Sequence, residues 1–315
     1  MPLPDLSKYE KYQKVTNGYI RYYEMGSGDE HTILAHGMGV VTSADTFQFA
    51  MEHLSKELHI YAIDYLGFGK SSRTLPQGPT FDVIVDGIRE FMDEKGIESA
   101  NLIGHSAGGW FGPILAYESP HRIRKLISMG GAGMNLEPAG GHGTPENNFL
   151  GRYGPASLEG ARASINRSFY EGSQMTEELA DAMAQQMFEH GTREGALEGL
   201  KPLVRQMATA EIRAQYLIQR RLPHIKVPCL FIWGKGGPGQ AGDTMDPYPT
   251  WTEEYDKLSG DMSKSVKPWV VPGASYLATP TGHNIQWEKP ELFAQICIDY
   301  IKKGTVFDGS NTYGG

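Results

Sequence analysis

The pentapeptide Gly104-His105-Ser106-Ala107-Gly108 is where residue types and spacing could first do chemistry. It stands between an apolar run, Ala100-Asn101-Leu102-Ile103, and a helix-period segment from Ala107 to Tyr117. G-x-S-x-G in a strand-to-helix context puts the serine on a sharp turn that lifts its hydroxyl out of the sheet. The flanking glycines leave room where strand and helix come close, and the helix N-terminus favours negative charge. A serine so placed attacks a carbonyl carbon, but at neutral pH it needs a base. The oxyanion that forms needs two backbone N–H donors. Ala107, following the nucleophile, offers one. The loop His36-Gly37-Met38-Gly39 after an early apolar run offers the other, with Met38 as the candidate.

The chain has ten histidines. His36 ends a strand in a His-Gly turn and reads as a loop-fixing hydrogen-bonder. His53, His59, His121 and His190 read as surface or helix-end residues. His105, one step from the nucleophile, should turn its side chain away from it. Gly282-His283-Asn284 follows Val270-Val271-Pro272 and precedes the last helical stretch, so His283 is the loop histidine suited to be the base. His31 and His36 stand five apart without a helix between them, which is no metal-ligand pattern. Neither Gly37-Met38-Gly39 nor Gly67-Phe68-Gly69 completes a dinucleotide loop. No cofactor and no metal are expected.

Positioning such residues takes alternating strands and helices. Gly18–Glu24 alternates as a strand, and Thr32–Ala35, Ile60–Ile63, Ala100–Ile103 and Lys125–Met129 are short apolar runs. Between them Phe81, Ile84, Ile88, Phe91 and Met92 keep helical spacing. That order predicts an α/β chain with a mostly parallel sheet and helices on both faces. Residues 156–220 carry helical patterns only, so they predict a helical cap inserted over the strand ends. Strand patterns return at Val227–Trp233 and Lys267–Val271, and residues 290–302 form a last helix. The expected organisation is a core domain over 1–132, a cap over 133–224, the rest of the core over 225–302 and a flexible tail over 303–315. Met175, Met183 and Met187 of the cap either line an apolar pocket or fill a helical core.

The chain has 315 residues, 40% hydrophobic and 21% charged, with 29 basic and 37 acidic side chains, net charge −8. This composition excludes intrinsic disorder. The acidic balance argues against nucleic acid as a partner. Two cysteines, Cys229 and Cys297, make no disulfide framework. No stretch approaches the roughly 18 apolar residues of a membrane span, and residues 1–5 lack the apolar core of a signal peptide. A cytoplasmic protein acting on a small molecule, with a homodimer left open and no membrane partner, is the expectation.

The segments His36–Gly39, Asp64-Tyr65-Leu66-Gly67-Phe68-Gly69-Lys70-Ser71, Gly104–Gly109 and Gly282-His283 together resemble the α/β-hydrolase superfamily. Within it, Met129-Gly130-Gly131-Ala132-Gly133 and Gly282–Pro290 look like the meta-cleavage product hydrolases and their esterase relatives. With Ser106 as nucleophile, the likeness does not extend to dehalogenases or epoxide hydrolases, which use a carboxylate. The resemblance implies the α/β-hydrolase fold and the chain order serine, acid, histidine, which fits His283 as base. Relatives follow the Trp-Gly strand end with Gly-x-x-Asp-x-x-x-Pro. Here Gly236-Gly237 stands in that place, Pro238–Gly242 looks inserted, and Asp243-Thr244-Met245-Asp246-Pro247 restores the spacing. Asp243 is therefore the expected acid, with Asp246 and Glu137 as alternatives. Ser275–Thr281 also reads as an extra stretch before the base. Gly37, His105 and Trp110 are expected substrate contacts.

The implied activity is hydrolysis of a carboxylic ester or related acyl bond through a Ser-His-Asp triad and an acyl-enzyme. One alternative is carbon–carbon hydrolysis of the meta-cleavage product type. Others are a nonhydrolytic Ser-His enzyme and a noncatalytic ligand receptor. Asn284 stands where the carbon–carbon hydrolases carry a tryptophan, the position of their cap arginine falls near Ala182, and His105 replaces a frequent asparagine.

Overall fold

The computed structural model describes residues 2–39, 42–73, 78–130, 157–168, 175–191, 196–209, 215–216, 218, 221–234, 271, 273–279 and 281–306. Among these residues, eight strands form one sheet in the order β1-β2-β4-β3-β5-β6-β7-β8. They are β1 Glu10–Val15, β2 Gly18–Met25, β3 His31–Ala35, β4 His59–Ile63, β5 Ala100–His105, β6 Ile123–Met129, β7 Cys229–Gly234 and β8 Ser275–Thr279. Strands β3 to β8 run parallel, while β2 is antiparallel to both β1 and β4.

The central strands are continuous apolar runs because both faces of the sheet are covered. Successive residues point to opposite faces, so Ile33, Ile63, Leu102 and Leu126 join one core and Leu34, Ala62, Ile103 and Ile127 the other. The first core lies against α2 (Phe81–Glu94) and α3 (Gly108–Glu118), the second against α1 (Gln48–Leu54) and α8 (Pro290–Lys303). Helix α2 buries Phe81, Ile84, Val85, Ile88, Phe91 and Met92 along one stripe, as its spacing predicts. Full burial of each large side chain is worth about 1.5–3 kcal/mol.

Two edge strands depart from expectation. Strand β1 has no counterpart in the sequence reading, since only Val15 of Glu10–Val15 is buried. Ser275–Thr281, expected as an extra stretch, instead supplies β8, paired in parallel register with β7 from Leu230↔Ser275 to Gly234↔Thr279. The strand expected over Lys267–Val271 lies outside the described residues, apart from Val271.

Helix α3 carries Pro113 in its sixth position, where the missing N–H leaves the Gly109 carbonyl without its helical donor. The Ser128 hydroxyl of β6 donates to that carbonyl at 3.0 Å. A buried strand serine thus completes the helix that carries the elbow.

Helices α4 (Leu158–Ser168), α5 (Glu177–Gly191) and α6 (Ala196–Ala208) come from the region expected as the cap. Its first boundary, residue 133, lies outside the described residues. Met183 and Met187 belong to a packed cluster with Ala161 and Ile165 of α4 and Phe49 of α1. They are helical core. The end of α5 is fastened by polar contacts. His190 Nδ1 lies 2.6 Å from Asp45 Oδ2, and Arg73 donates to the Gly191 carbonyl at 2.8 Å. His190 is at a helix end, as expected, yet its partner is a buried carboxylate. Asp45 also accepts from Tyr23 Oη at 2.6 Å and Ser43 Oγ at 2.7 Å. The fully buried Arg21 stands 3.4 Å from both Asp45 and Asp64. Burial works to raise the Asp45 carboxyl, but His190 and Arg21 outweigh it and hold it well below the usual carboxylate range.

Candidate active site

Because β3 to β8 are parallel, the loops after β3, β5, β6, β7 and β8 all leave the same edge of the sheet, the usual place for a site in an open α/β sheet. The turn after β5 holds Ser106. Its φ of 54° makes it the one non-glycine residue with positive φ among the described residues. Such a conformation costs about 1–3 kcal/mol and persists only where surroundings enforce it. Here β6 enforces it: the Ser106 N–H donates to the Met129 carbonyl at 2.8 Å. The flanking glycines are needed for contact. A Cβ on Gly104 would stand 2.2 Å from the Gly108 carbonyl oxygen, and one on Gly108 2.1 Å from that of Ala35. Every residue from Ala100 to Ala116 is buried except Ser106.

The loop after β3 lies against this serine. A Cβ on Gly37 would be 3.1 Å from Ser106 Cβ and 3.6 Å from its Oγ. Met38 follows, half-buried. His36 fixes the loop, as its sequence position suggests. Its Nε2 accepts from the Tyr65 N–H at 3.2 Å, so Nδ1 carries the proton and donates to the Gly37 carbonyl at 2.6 Å. The Tyr65 hydroxyl donates to the His36 carbonyl at 2.8 Å. Burial lowers the His36 imidazole to about 4, so it is neutral at pH 7. Ala107 opens helix α3, its carbonyl accepting from Trp110 and Phe111.

His283 lies on the loop after β8 and meets the end of β6. A Cβ on Gly130 would stand 2.8 Å from both Nδ1 and Cε1 of its ring. Residues 129 and 130 therefore touch both halves of the site: the Met129 carbonyl holds Ser106, and Gly130 faces His283. The His283 loop is clamped from below. The Glu288 carboxylate of α7 (Ile285–Glu288) accepts from the Gly282 N–H at 3.0 Å, and the Trp287 indole donates to the Thr46 carbonyl at 2.6 Å. Gly234, ending β7, passes so close that a Cβ there would stand 2.2 Å from the Gly282 carbonyl.

Two expectations need correction. His105 does not turn its side chain away from the site into a separate environment. Its ring lies 4.6 Å from that of His283, and its Nε2 is 3.0 Å from the His283 carbonyl. Adjacent side chains oppose each other in a strand, but the strained φ at Ser106 breaks that alternation. Trp110, expected at the substrate, is 1% exposed, packs on Phe81 at 4.6 Å and donates its indole N–H to the Tyr216 carbonyl at 2.7 Å. It is a core residue beneath the elbow. Asp243, Asp246 and Glu137 lie outside the described residues. The structure thus brings together Ser106, His283, His105, Gly37 and the Met38 loop. Gly130, Glu288 and Tyr65 were not singled out from sequence, although all three fall inside the segments that carried the resemblance. Among the described residues no group of three or more His, Cys, Asp or Glu side chains could hold a metal ion.

Residues 31–290 match the family described as the alpha/beta hydrolase fold. The chain belongs to that family. It is an α/β hydrolase, and its relatives are named as hydrolases. The 2-hydroxy-6-oxononadienedioate/2-hydroxy-6-oxononatrienedioate hydrolase of Paraburkholderia phymatum is 28% identical over 299 residues, covering 92% of this chain and 95% of the relative. The 2-hydroxymuconate semialdehyde hydrolase of a Pseudomonas species is 27% identical over 270 residues, covering 85% and 86%. Among solved structures, the meta-cleavage product hydrolase CumD of Pseudomonas fluorescens IP01 superposes with a TM-score of 0.70 at 21% identity, covering 94% of this chain and 98% of that one. Among the described residues no helix is long and apolar enough to cross a membrane.

Proposed function

We propose that this α/β hydrolase cleaves an acyl bond of a small apolar substrate by two-step acyl transfer on Ser106. The observation that carries the reading is Ser106 itself, strained, held by β6 and half-buried where every other residue from Ala100 to Ala116 is buried. In this reading His283 takes the serine proton as Oγ attacks the carbonyl carbon, and the Met38 and Ala107 N–H groups hold the oxyanion. His283 then gives its proton to the leaving group and activates water for deacylation. Asp243 is the acid proposed to orient the imidazole and stabilise its charged form. A carboxylic ester is the substrate class proposed first.

A second reading, hydrolysis of a carbon–carbon bond in a vinylogous 1,5-diketone, is favoured by the names of the curated relatives. The same nucleophile and base serve both, because each reaction passes through an attacked carbonyl. A cytoplasmic setting belongs to the same proposal, supported by two buried free thiols, Cys229 and Cys297.

The test compares turnover of p-nitrophenyl acetate and butyrate with that of a ring-fission dienone. It uses wild type, Ser106→Ala, His283→Ala and Asp243→Asn. Loss by about 10³-fold or more in the serine and histidine variants is expected. Faster turnover of the dienone than of the esters would move the substrate assignment to the carbon–carbon bond. No turnover of either class, with no phosphonate adduct on Ser106, would refute the mechanism.

A further inference from the structure

The His105 side chain links the nucleophile's strand directly to the loop of the proposed base. It ends β5, opposite Met129 of β6, and is 4% exposed. The His283 carbonyl can only accept, so the 3.0 Å contact requires the proton on His105 Nε2. A neutral ring then leaves Nδ1 as a bare acceptor. That atom has no hydrogen-bond partner among the described residues and lies on the Gly37 side, 3.3 Å from where a Cβ on Gly37 would be. Among the described residues, the titratable groups facing the ring are His283, from the loop after β8, and His36, from the loop after β3.

We propose that His105 is a positioning residue that locks the backbone of His283 to the nucleophile's strand and stays neutral, so that the proton moved in catalysis belongs to His283 alone. The inference rests on His283 being the base. The hydrogen bond joins residue 283 to the residue before Ser106, so it fixes the distance between the two catalytic side chains through their backbones. Neutrality follows from the surroundings. Burial disfavours charge on His105 and a charged His283 ring 4.6 Å away disfavours it further, and together they outweigh the hydrogen bond to the His283 carbonyl, which favours it. When His283 takes the serine proton, a second cation cannot form beside it. Glu288 holds the same loop at the Gly282 N–H, so the backbone is held at two consecutive residues, 282 and 283.

The test is the pair His105→Gln and His105→Met, two side chains of nearly equal length of which only the first keeps an N–H donor. With p-nitrophenyl butyrate, His105→Gln should hold kcat within about 5-fold of wild type. His105→Met should lose about 10- to 100-fold in kcat with KM nearly unchanged, the scale of a catalytic group displaced by about 1 Å. The acid limb of the pH profile should persist in His105→Gln, because it reports His283. Equal kcat in the two variants overturns the positioning role. Disappearance of the limb in His105→Gln overturns it too, since His105 would then be the titrating base. Should His105→Met fail to fold, the limb of His105→Gln decides alone. Phosphonate labelling of Ser106 in wild type separates the two levels. A labelled and active enzyme with indifferent His105 variants refutes this inference only, whereas an unlabelled and inactive wild type refutes the function on which it rests.

Discussion

Replacing Gly130 by alanine should damage catalysis far more than folding. The added Cβ would stand 2.8 Å from Nδ1 and Cε1 of His283. The optimum for such a contact is about 3.5 Å, so something must yield by about 0.7 Å. Gly130 is held by its own N–H on the Ile232 carbonyl at 3.1 Å, one residue past the end of β6, whose Met129 is buried. The imidazole is the end of a side chain and is the part that moves. Gly130 also has φ of 51°, where a Cβ costs about 1–2 kcal/mol. The stability loss should therefore be of that order. A catalytic group misplaced by most of an ångström loses up to about 10²-fold in rate. The assay is kcat for p-nitrophenyl butyrate beside a urea unfolding curve. A kcat for Gly130→Ala within 2-fold of wild type, in a folded enzyme, would refute the reasoning and with it the role of His283. Loss of stability and rate in proportion would point to general damage instead.

Ser128→Ala should cost about 1–3 kcal/mol in urea unfolding, because the Gly109 carbonyl then has neither a helical donor nor a hydroxyl. Asp45→Asn should cost about 3 kcal/mol or more by the same measurement, since Arg21 and His190 both lose a buried carboxylate. Faster hydrogen exchange at the C-terminal end of α5 should accompany it. For Glu24, burial raises the carboxyl, but hydrogen bonds from Lys11 and Lys95 prevail and bring it from 4.5 down to about 2. A lowered carboxylate stabilises the fold above its unfolded value and loses that contribution as pH falls through its folded value. The stability gap between wild type and Glu24→Gln should therefore be full above about pH 4.5 and close towards pH 2. Unfolding curves across that range would show a constant gap if the reasoning were wrong.

The central sheet was legible because its strands are buried on both faces, so Thr32–Ala35 and Ala100–Ile103 stand out as apolar runs. The edges were not. Glu10-Lys11-Tyr12-Gln13-Lys14 looks polar because an edge strand facing water is kept polar, and lysines there discourage pairing with other chains. Ser275–Thr279 escaped as the opposite edge. Ser106 was legible because the strain of the elbow leaves a mark in sequence: glycines where backbone meets backbone. The contact of His105 with the His283 loop left no such mark, since its partner lies 178 positions along the chain. The link from His190 to Asp45 spans 145 positions and has no local signature. The helix over Ala107–Tyr117 was legible from its spacing, but what lets it hold Pro113 was not, because the donor that serves the Gly109 carbonyl comes from Ser128 on β6.

The glycines around the proposed reaction centre bear on any change of its specificity. At Gly104, Gly108 and Gly234 an added methyl group would run into main-chain oxygens at 2.2, 2.1 and 2.2 Å, and main chain cannot swing aside as a side chain does. These positions form a rigid mould with no freedom to vary. A mutagenesis library aimed at new substrates would lose nearly all its folded members if it sampled them. Useful diversity has to come from positions beside the mould that already carry a side chain with some freedom, such as the half-buried Met38.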